Sequence, residues 1–289
     1  MSAFARTVFA FARIFMAMVP GGRLRARPTA PSALAFAGVA TLAVVAGCSS
    51  GDSGPLIVGM ELAYPPFEMT DEKGQPAGVS VDLARAIAKA LNRDLKIENI
   101  AFDGLIPALK TGKIHLVISS LTRTPERAES IDFTDPYAET GLCLLVAKDA
   151  PVKAVADLNQ PGRKVAVKKG TTGHAWAVAN LKQAEVLVLD KEATAVLEVA
   201  QAKVDAFIYD QLSVYQHWKR NEETTRAILQ PFQKESWAIG VRQGDTRLRE
   251  QVNDAIVDFR YNTGFEKLGN TWLKEQKDAF RKLGIAFIF

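Results

Sequence analysis

Cysteine is scarce in this chain. Cys48 and Cys143 are the only two in 289 residues, which excludes the disulfide framework of a small secreted domain. Cys143 lies in the apolar run 141–147 and reads as a small buried hydrophobe. No histidine or second thiol stands near it to suggest redox chemistry. Long hydrophobic runs are also missing. The apolar stretch 33–46 has 14 residues, short of the ~20 that span a bilayer. No glycine-rich loop ends in Lys-Ser/Thr, so a nucleotide P-loop is excluded. No Ser-His-Asp set or metal cluster is evident, and no cofactor is expected. No period of solenoid length occurs.

An excess of one charge is absent too, once the charges are placed. Five of the 36 basic residues, Arg6, Arg13, Arg23, Arg25 and Arg27, sit in the first 47 positions with no acid among them. The rest carries 31 basic residues against 32 acidic ones. The basic character belongs to the N-terminus, and the remainder has no basic patch with interleaved aromatics. Nucleic acid is therefore not an expected partner.

What is present begins with that N-terminus. Positive residues precede the apolar stretch 33–46, and Val44-Val45-Ala46-Gly47-Cys48-Ser49-Ser50 closes it. This order resembles a bacterial lipoprotein leader with its lipobox. The resemblance implies that residues 1–47 are a signal peptide. It further implies that Cys48 becomes an acylated N-terminus and that the protein works outside the cytoplasm, tethered to a membrane. Residues 48–54, rich in Ser, Gly and Asp, read as a flexible tether.

The rest alternates strand and helix. Residues 56–60 read as a strand, and Ser80 as the cap of a helix with apolar positions Val81, Ala84, Ile87, Ala88 and Leu91. Strand 95–100 follows, then a helix capped by Asp103 that ends at Gly112, then strand 114–118. The pattern restarts with strand 163–167, the turn Lys169-Gly170-Thr171-Thr172-Gly173, and a helix to about Lys182. Strands 185–189 and 204–209 alternate with helices 192–201 and 211–220. Strand 237–241 and two helices, 246–262 and 264–277, complete the chain. The order predicts an α/β protein with mostly parallel sheets. The apolar strands 142–147 and 237–241 bracket the second unit and are its natural crossings. The expected lobes are residues 55–142 plus 238–289, and residues 143–237. The apolar tail 284–289 has no evident role in this scheme.

Ligands of open α/β sheets sit at the carboxyl ends of strands. After the first strand, Pro65 and Pro66 fix a loop bearing Tyr64 and Phe67. Phe102 ends the second strand. Phe67 and Phe102 each suit either the core or a ligand sandwich. After the third strand, Thr124 and Pro125 read as N-cap and first residue of a short helix, with Arg127 at its third position. A guanidinium beside hydroxyls and free backbone N–H groups makes a carboxylate site. Thr172 in the glycine turn can cap the next helix while facing a ligand. Asp210, at the end of a strand, can bind an ammonium or merely cap the following helix. One unit thus offers a carboxylate receptor and the other an ammonium receptor, which suits a zwitterion.

Several segments in order resemble the family 3 bacterial extracellular solute-binding proteins, the polar amino-acid receptors of ABC importers. They are Tyr64-Pro65-Pro66-Phe67-Glu68, Gly78-Val79-Ser80-Val81-Asp82-Leu83-Ala84, Phe102-Asp103-Gly104-Leu105-Ile106-Pro107-Ala108-Leu109, and Ile118-Ser119-Ser120-Leu121-Thr122 with Arg127. Gly170-Thr171-Thr172-Gly173 and Val204-Asp205-Ala206-Phe207 complete the set. The resemblance spans residues 55–280. It implies a bilobal Venus-flytrap (type II periplasmic-binding-protein) fold, two α/β lobes joined by two hinge strands. It implies that Arg127 clamps an α-carboxylate with Ser120, Thr122 and the backbone at Thr172, and that Asp210 holds the α-ammonium. Tyr64 and Phe102 would flank the ligand side chain, and Glu61 and Lys168 would reach its polar end. It also implies a permease, its ATPase and a monomeric receptor. Ser80, His115, His174 and Trp176 depart from the family pattern, with His115 expected at the surface.

Glu61 beside Lys168 offers an acceptor and a donor, which favours glutamine or a similar polar amino acid. The expected function is binding, without catalysis. The alternatives are a cyclohexadienyl dehydratase-like enzyme on the same fold and a ligand-binding partner of a signalling receptor.

Overall fold

A computed structural model describes residues 54–289. The leader, Cys48 and most of the tether lie outside the described residues. Two five-stranded sheets organise the chain. In the first, Leu56–Met60 lies between parallel partners Leu95–Asn99 and Leu116–Val117. Gly240–Arg242 then returns antiparallel between Leu116–Val117 and Ile131–Phe133. In the second, Lys164–Lys168 lies between parallel partners Glu185–Leu189 and Ala206–Asp210. The central strands are apolar and buried because helices cover both faces of a parallel sheet. The expected bilobal α/β architecture is what these sheets form.

Two long antiparallel strands, Ala138–Ala147 and Thr225–Trp237, run together between the lobes. Their register breaks between Ile228 and Gln233, around Pro231, which has no N–H for the ladder. Gly141 faces that break, and a Cβ there would lie 2.5 Å from the Gln233 carbonyl. The ribbon therefore requires glycine at that crossing. Trp237 also forms an isolated bridge to Thr122, tying the ribbon to the loop that carries Arg127.

Several caps differ from the sequence expectation. The first helix is Val79–Ala90, and Gly78, at φ 118°, is its N-cap. A Cβ on Gly78 would meet the Phe67 carbonyl at 2.3 Å, so the chain must turn there on glycine. Ser80 instead sits inside the first turn, buried, and donates to Glu68 Oε1 at 3.0 Å. Asp103 is no cap either. It lies in the short turn Phe102–Gly104, and Gly104 precedes the helix Leu105–Lys110.

The C-terminal segment forms three helices rather than two: Thr246–Tyr261, Gly264–Trp272 and Lys274–Lys282. They pack on the first lobe through residues such as Val252, Ile256, Phe265 and Phe280. Trp272 Nε1 donates to Asp82 Oδ2 at 2.8 Å, locking this block to the first helix. The apolar tail acquires a role here. Ile288 is buried and its carbonyl accepts from Glu139 N at 2.9 Å, so the tail returns to the hinge ribbon. Phe280 meets Tyr215 of the helix Gln211–Arg220, which follows the second sheet, at 5.4 Å between ring centres. Among the described residues no helix is long and apolar enough to cross a membrane.

Candidate functional site

A small cavity of about 40 Å³ lies where the strand ends of the two lobes face each other. It has the scale of a few waters. Glu61, Tyr64, Phe102, Ser120, Thr122, Arg127, Lys168, Thr172 and Asp210 all line it. Every pocket residue expected from sequence is thus brought to one place. Leu142, Tyr209, Glu235 and Trp237 line it as well and were not expected.

Arg127 stands where the sequence placed it. Thr124 caps the helix Pro125–Ala128 and accepts from Arg127 N at 3.2 Å. The guanidinium donates through Nη1 to the Thr122 carbonyl at 2.6 Å and through Nη2 to the Gly170 carbonyl at 3.0 Å. The second bond crosses to the other lobe. Burial lowers its pKa to about 10, so the group remains a cation at neutral pH. Phe102 lies 5.6 Å from the Arg127 guanidinium carbon and 5.5 Å from Lys168 Nζ, measured from its ring centre. Two cations on one ring fix its place at the cleft. Phe67 is fully buried against Tyr64 and Trp237 and belongs to the core.

Asp210 both caps and faces the cavity. Its Oδ1 accepts from Leu212 N and Ser213 N, each at 3.1 Å, and from Tyr64 Oη of the other lobe at 2.8 Å. Burial, and then the charge of nearby Glu192, raise its pKa to about 7, against the opposing pull of Ser213 N–H and the Tyr64 hydroxyl. Glu192 is itself buried, pairs with His217 at 2.7 Å and accepts from Ser213 Oγ.

Lys168 is buried and forms an ion pair with Glu61 across the cleft. At the rim, Lys169 Nζ pairs with Asp103 Oδ2 at 2.8 Å and holds that carboxyl below its ordinary pKa.

Ser120 adopts φ 49° and turns its hydroxyl to Glu68 Oε1 at 2.9 Å. Glu68 is fully buried, and burial raises its pKa to about 8 despite the hydroxyls of Ser120 and Ser80. Thr171, not Thr172, caps the helix Thr172–Asn180, and accepts from His174 N at 3.2 Å. Thr172 is therefore the first helical residue, with its N–H among those a helix leaves free. Trp176 packs on Phe232 at 4.8 Å, and His174 Nδ1 accepts from Gly170 N at 3.3 Å. Neither lines the cavity. His115 is half-buried, not a surface residue, and accepts from Ile57 N at 3.0 Å.

Two lobes that close charged groups around a small cavity define a solute-binding protein. Residues 56–275 match the bacterial extracellular solute-binding proteins, family 3, and the chain belongs to that family. It is 29% identical over 252 residues to the L-cystine-binding protein TcyJ of Escherichia coli, covering 82% of this chain and 94% of that one. Among solved structures it is similar to the ancestral amino acid-binding protein AncCDT-1, described as a precursor of cyclohexadienyl dehydratase. That match has 35% identity and a TM-score of 0.70 over 76% of this chain and 95% of that one. It is also similar to an ancestral arginine-binding protein bound to glutamine, at 34% identity and a TM-score of 0.70. Here 76% of this chain and 98% of that one are covered.

Proposed function

We propose that the protein is a monomeric, extracytoplasmic receptor that captures a polar L-amino acid between its lobes and hands it to an ABC permease and its ATPase. The observation that carries this reading is the placement of Arg127 on one lobe and Asp210 on the other, around one cavity. A guanidinium suits the α-carboxylate, because it presents a planar fork of donors. A buried carboxylate suits the α-ammonium. Neither lobe holds both, so the ligand stabilises the closed arrangement, which is the form a permease can distinguish. The proposed lobes are residues 55–142 plus 238–289, and residues 143–237.

The Glu61–Lys168 pair supports a neutral polar side chain. Opened by a ligand, it offers one acceptor and one donor, the complement of a carboxamide. Glutamine is therefore the favoured ligand. Glu61 is paired with Lys168 across the cleft, and Asp210 accepts from a helix end and from Tyr64 of the other lobe, an arrangement that supports a receptor for a ligand's charged groups. A thermal-shift screen of the purified protein against the twenty common L-amino acids tests the reading. A raised melting temperature with glutamine or a similar polar amino acid is expected. No shift with any of the twenty would overturn it.

The tether belongs to the same reading. Cys48 follows small residues and an apolar stretch, and its acylation would keep the receptor near its permease at raised effective concentration. Cys48→Ser is expected to move the protein from the membrane to the soluble fraction, read by immunoblotting of fractionated cells. A variant that stays with the membrane would remove the anchor from the scheme.

A further inference from the structure

We propose that Glu235 is a ligand-contacting residue of the cleft, a second carboxylate that receives the α-ammonium group together with Asp210. The proposal rests on the reading of the cleft as an amino-acid receptor. Glu235 belongs to the hinge strand Thr225–Trp237 and stands opposite Thr140 on its partner. Its side chain is buried, with the residue 6% exposed, yet it lines the cavity. Oε2 accepts from Thr122 Oγ1 at 3.0 Å, and Oε1 accepts from Gln233 Nε2 at 3.1 Å. Both donors are neutral groups. Each carboxylate oxygen has two lone pairs, so each keeps accepting capacity. The nearby Arg127 guanidinium offsets part of this charge but is not hydrogen-bonded to it, so a cation brought into the cavity would be its first directly bonded counter-charge.

The position of that charge selects the ammonium. Glu235 lines the same cavity as Arg127 and Asp210. Its charge is the leading one acting on Arg127 and a minor one acting on Asp210, so it is felt at both ends of the proposed zwitterion. At the carboxylate end Arg127 already supplies the matching charge. At the other end two carboxylates repel one another until a cation lies between them. The Glu61–Lys168 pair, by contrast, is already neutralised and is left to the side chain. Glu235 also fixes Thr122, whose carbonyl accepts from Arg127. A hinge residue thus reads the head group that all L-amino acids share.

Isothermal titration of the full-length protein with L-glutamine, L-arginine and L-cystine tests this. Glu235→Gln keeps the shape and an acceptor for Thr122. It is expected to raise Kd by about tenfold, the order of one charged hydrogen bond, and by similar factors for each probe the wild type binds. Glu235→Asp keeps the charge but draws it back by one methylene, and a smaller loss of about threefold is expected on the same scale. Unchanged or tighter binding in Glu235→Gln overturns the proposal. So does a loss confined to arginine, which would place Glu235 on the side chain, or an equal loss in both variants, which would mean packing. Should Glu235→Gln not fold, the Asp variant decides: unchanged affinity rejects the proposal. A wild-type protein that binds none of the three probes rejects the receptor reading itself for those ligands, and this proposal with it.

Discussion

Arg127→Ala is expected to abolish amino-acid binding while leaving the fold intact. The guanidinium is a half-buried cation whose two hydrogen bonds go to carbonyls, Thr122 and Gly170, not to an acid. A ligand carboxylate would be its first full counter-charge at hydrogen-bonding distance. Two charge-assisted bonds contribute about 1.5–3 kcal/mol each, so their loss corresponds to roughly a hundredfold to ten-thousandfold in Kd. Micromolar binding would fall out of the range of calorimetry. The fold should survive, because the cap of the helix Pro125–Ala128 is made by Thr124 and the Arg127 backbone, which the substitution keeps. Calorimetric titration with the best amino acid of the screen, beside a melting curve, measures both effects. Wild-type-like titration in a folded variant would reject Arg127 as the carboxylate clamp.

The site was legible because its residues stand at strand ends, where a pattern of apolar strand followed by polar loop marks them. Arg127 could be placed three positions into a helix from Thr124 and Pro125 alone, and the structure holds it there. Caps were less legible. Ser80, Asp103 and Thr172 all look like caps in sequence, yet Gly78, Gly104 and Thr171 occupy those positions. Neighbouring polar residues compete for a cap, and tertiary partners decide among them. Glu68 takes the Ser80 hydroxyl, and Lys169 of the other lobe takes the Asp103 carboxylate. Glu235 was missed for a different reason. The segment Thr225–Trp237 carries Gln230, Pro231, Gln233 and Lys234 and shows no apolar run or clean alternation. It is a strand because Ala138–Ala147 pairs with it, a contact across some eighty intervening residues that local periodicity does not report. The tail was opaque on the same ground. Its apolar residues answer to Phe265 and the hinge ribbon, not to each other alone.

Ligand affinity should fall with pH below about 7, and Asp210 should be the cause. Its carboxyl is buried, faces Glu192 and Glu235, and is raised to about 7, while Tyr64 and the backbone N–H of Ser213 hold it down. An ammonium binds the ionised carboxylate, so ligand binding and proton binding exclude one another. Affinity is then full above about 7 and drops as pH falls through it, approaching tenfold per pH unit. The sign for the free protein is the reverse. Asp210 is raised in the fold from its ordinary 3.8. Its contribution to folding is present below that value and is lost as pH rises through 7. A receptor built this way holds its ligand under the conditions that make its empty cleft least stable. That is the electrostatic counterpart of a cleft completed by its ligand. Asp210→Asn separates the two roles, since an asparagine can still accept from Leu212 N and Ser213 N and cap the helix Gln211–Arg220. The variant should fold, bind roughly tenfold to a hundredfold more weakly on the scale of a lost charged contact, and lose the pH slope. Calorimetric titrations of both proteins between pH 5 and 8 measure this. A flat wild-type profile, or a slope that persists in Asp210→Asn, would shift the ammonium site away from Asp210. Glu235, which also lines the cavity, would then be the next carboxylate to test.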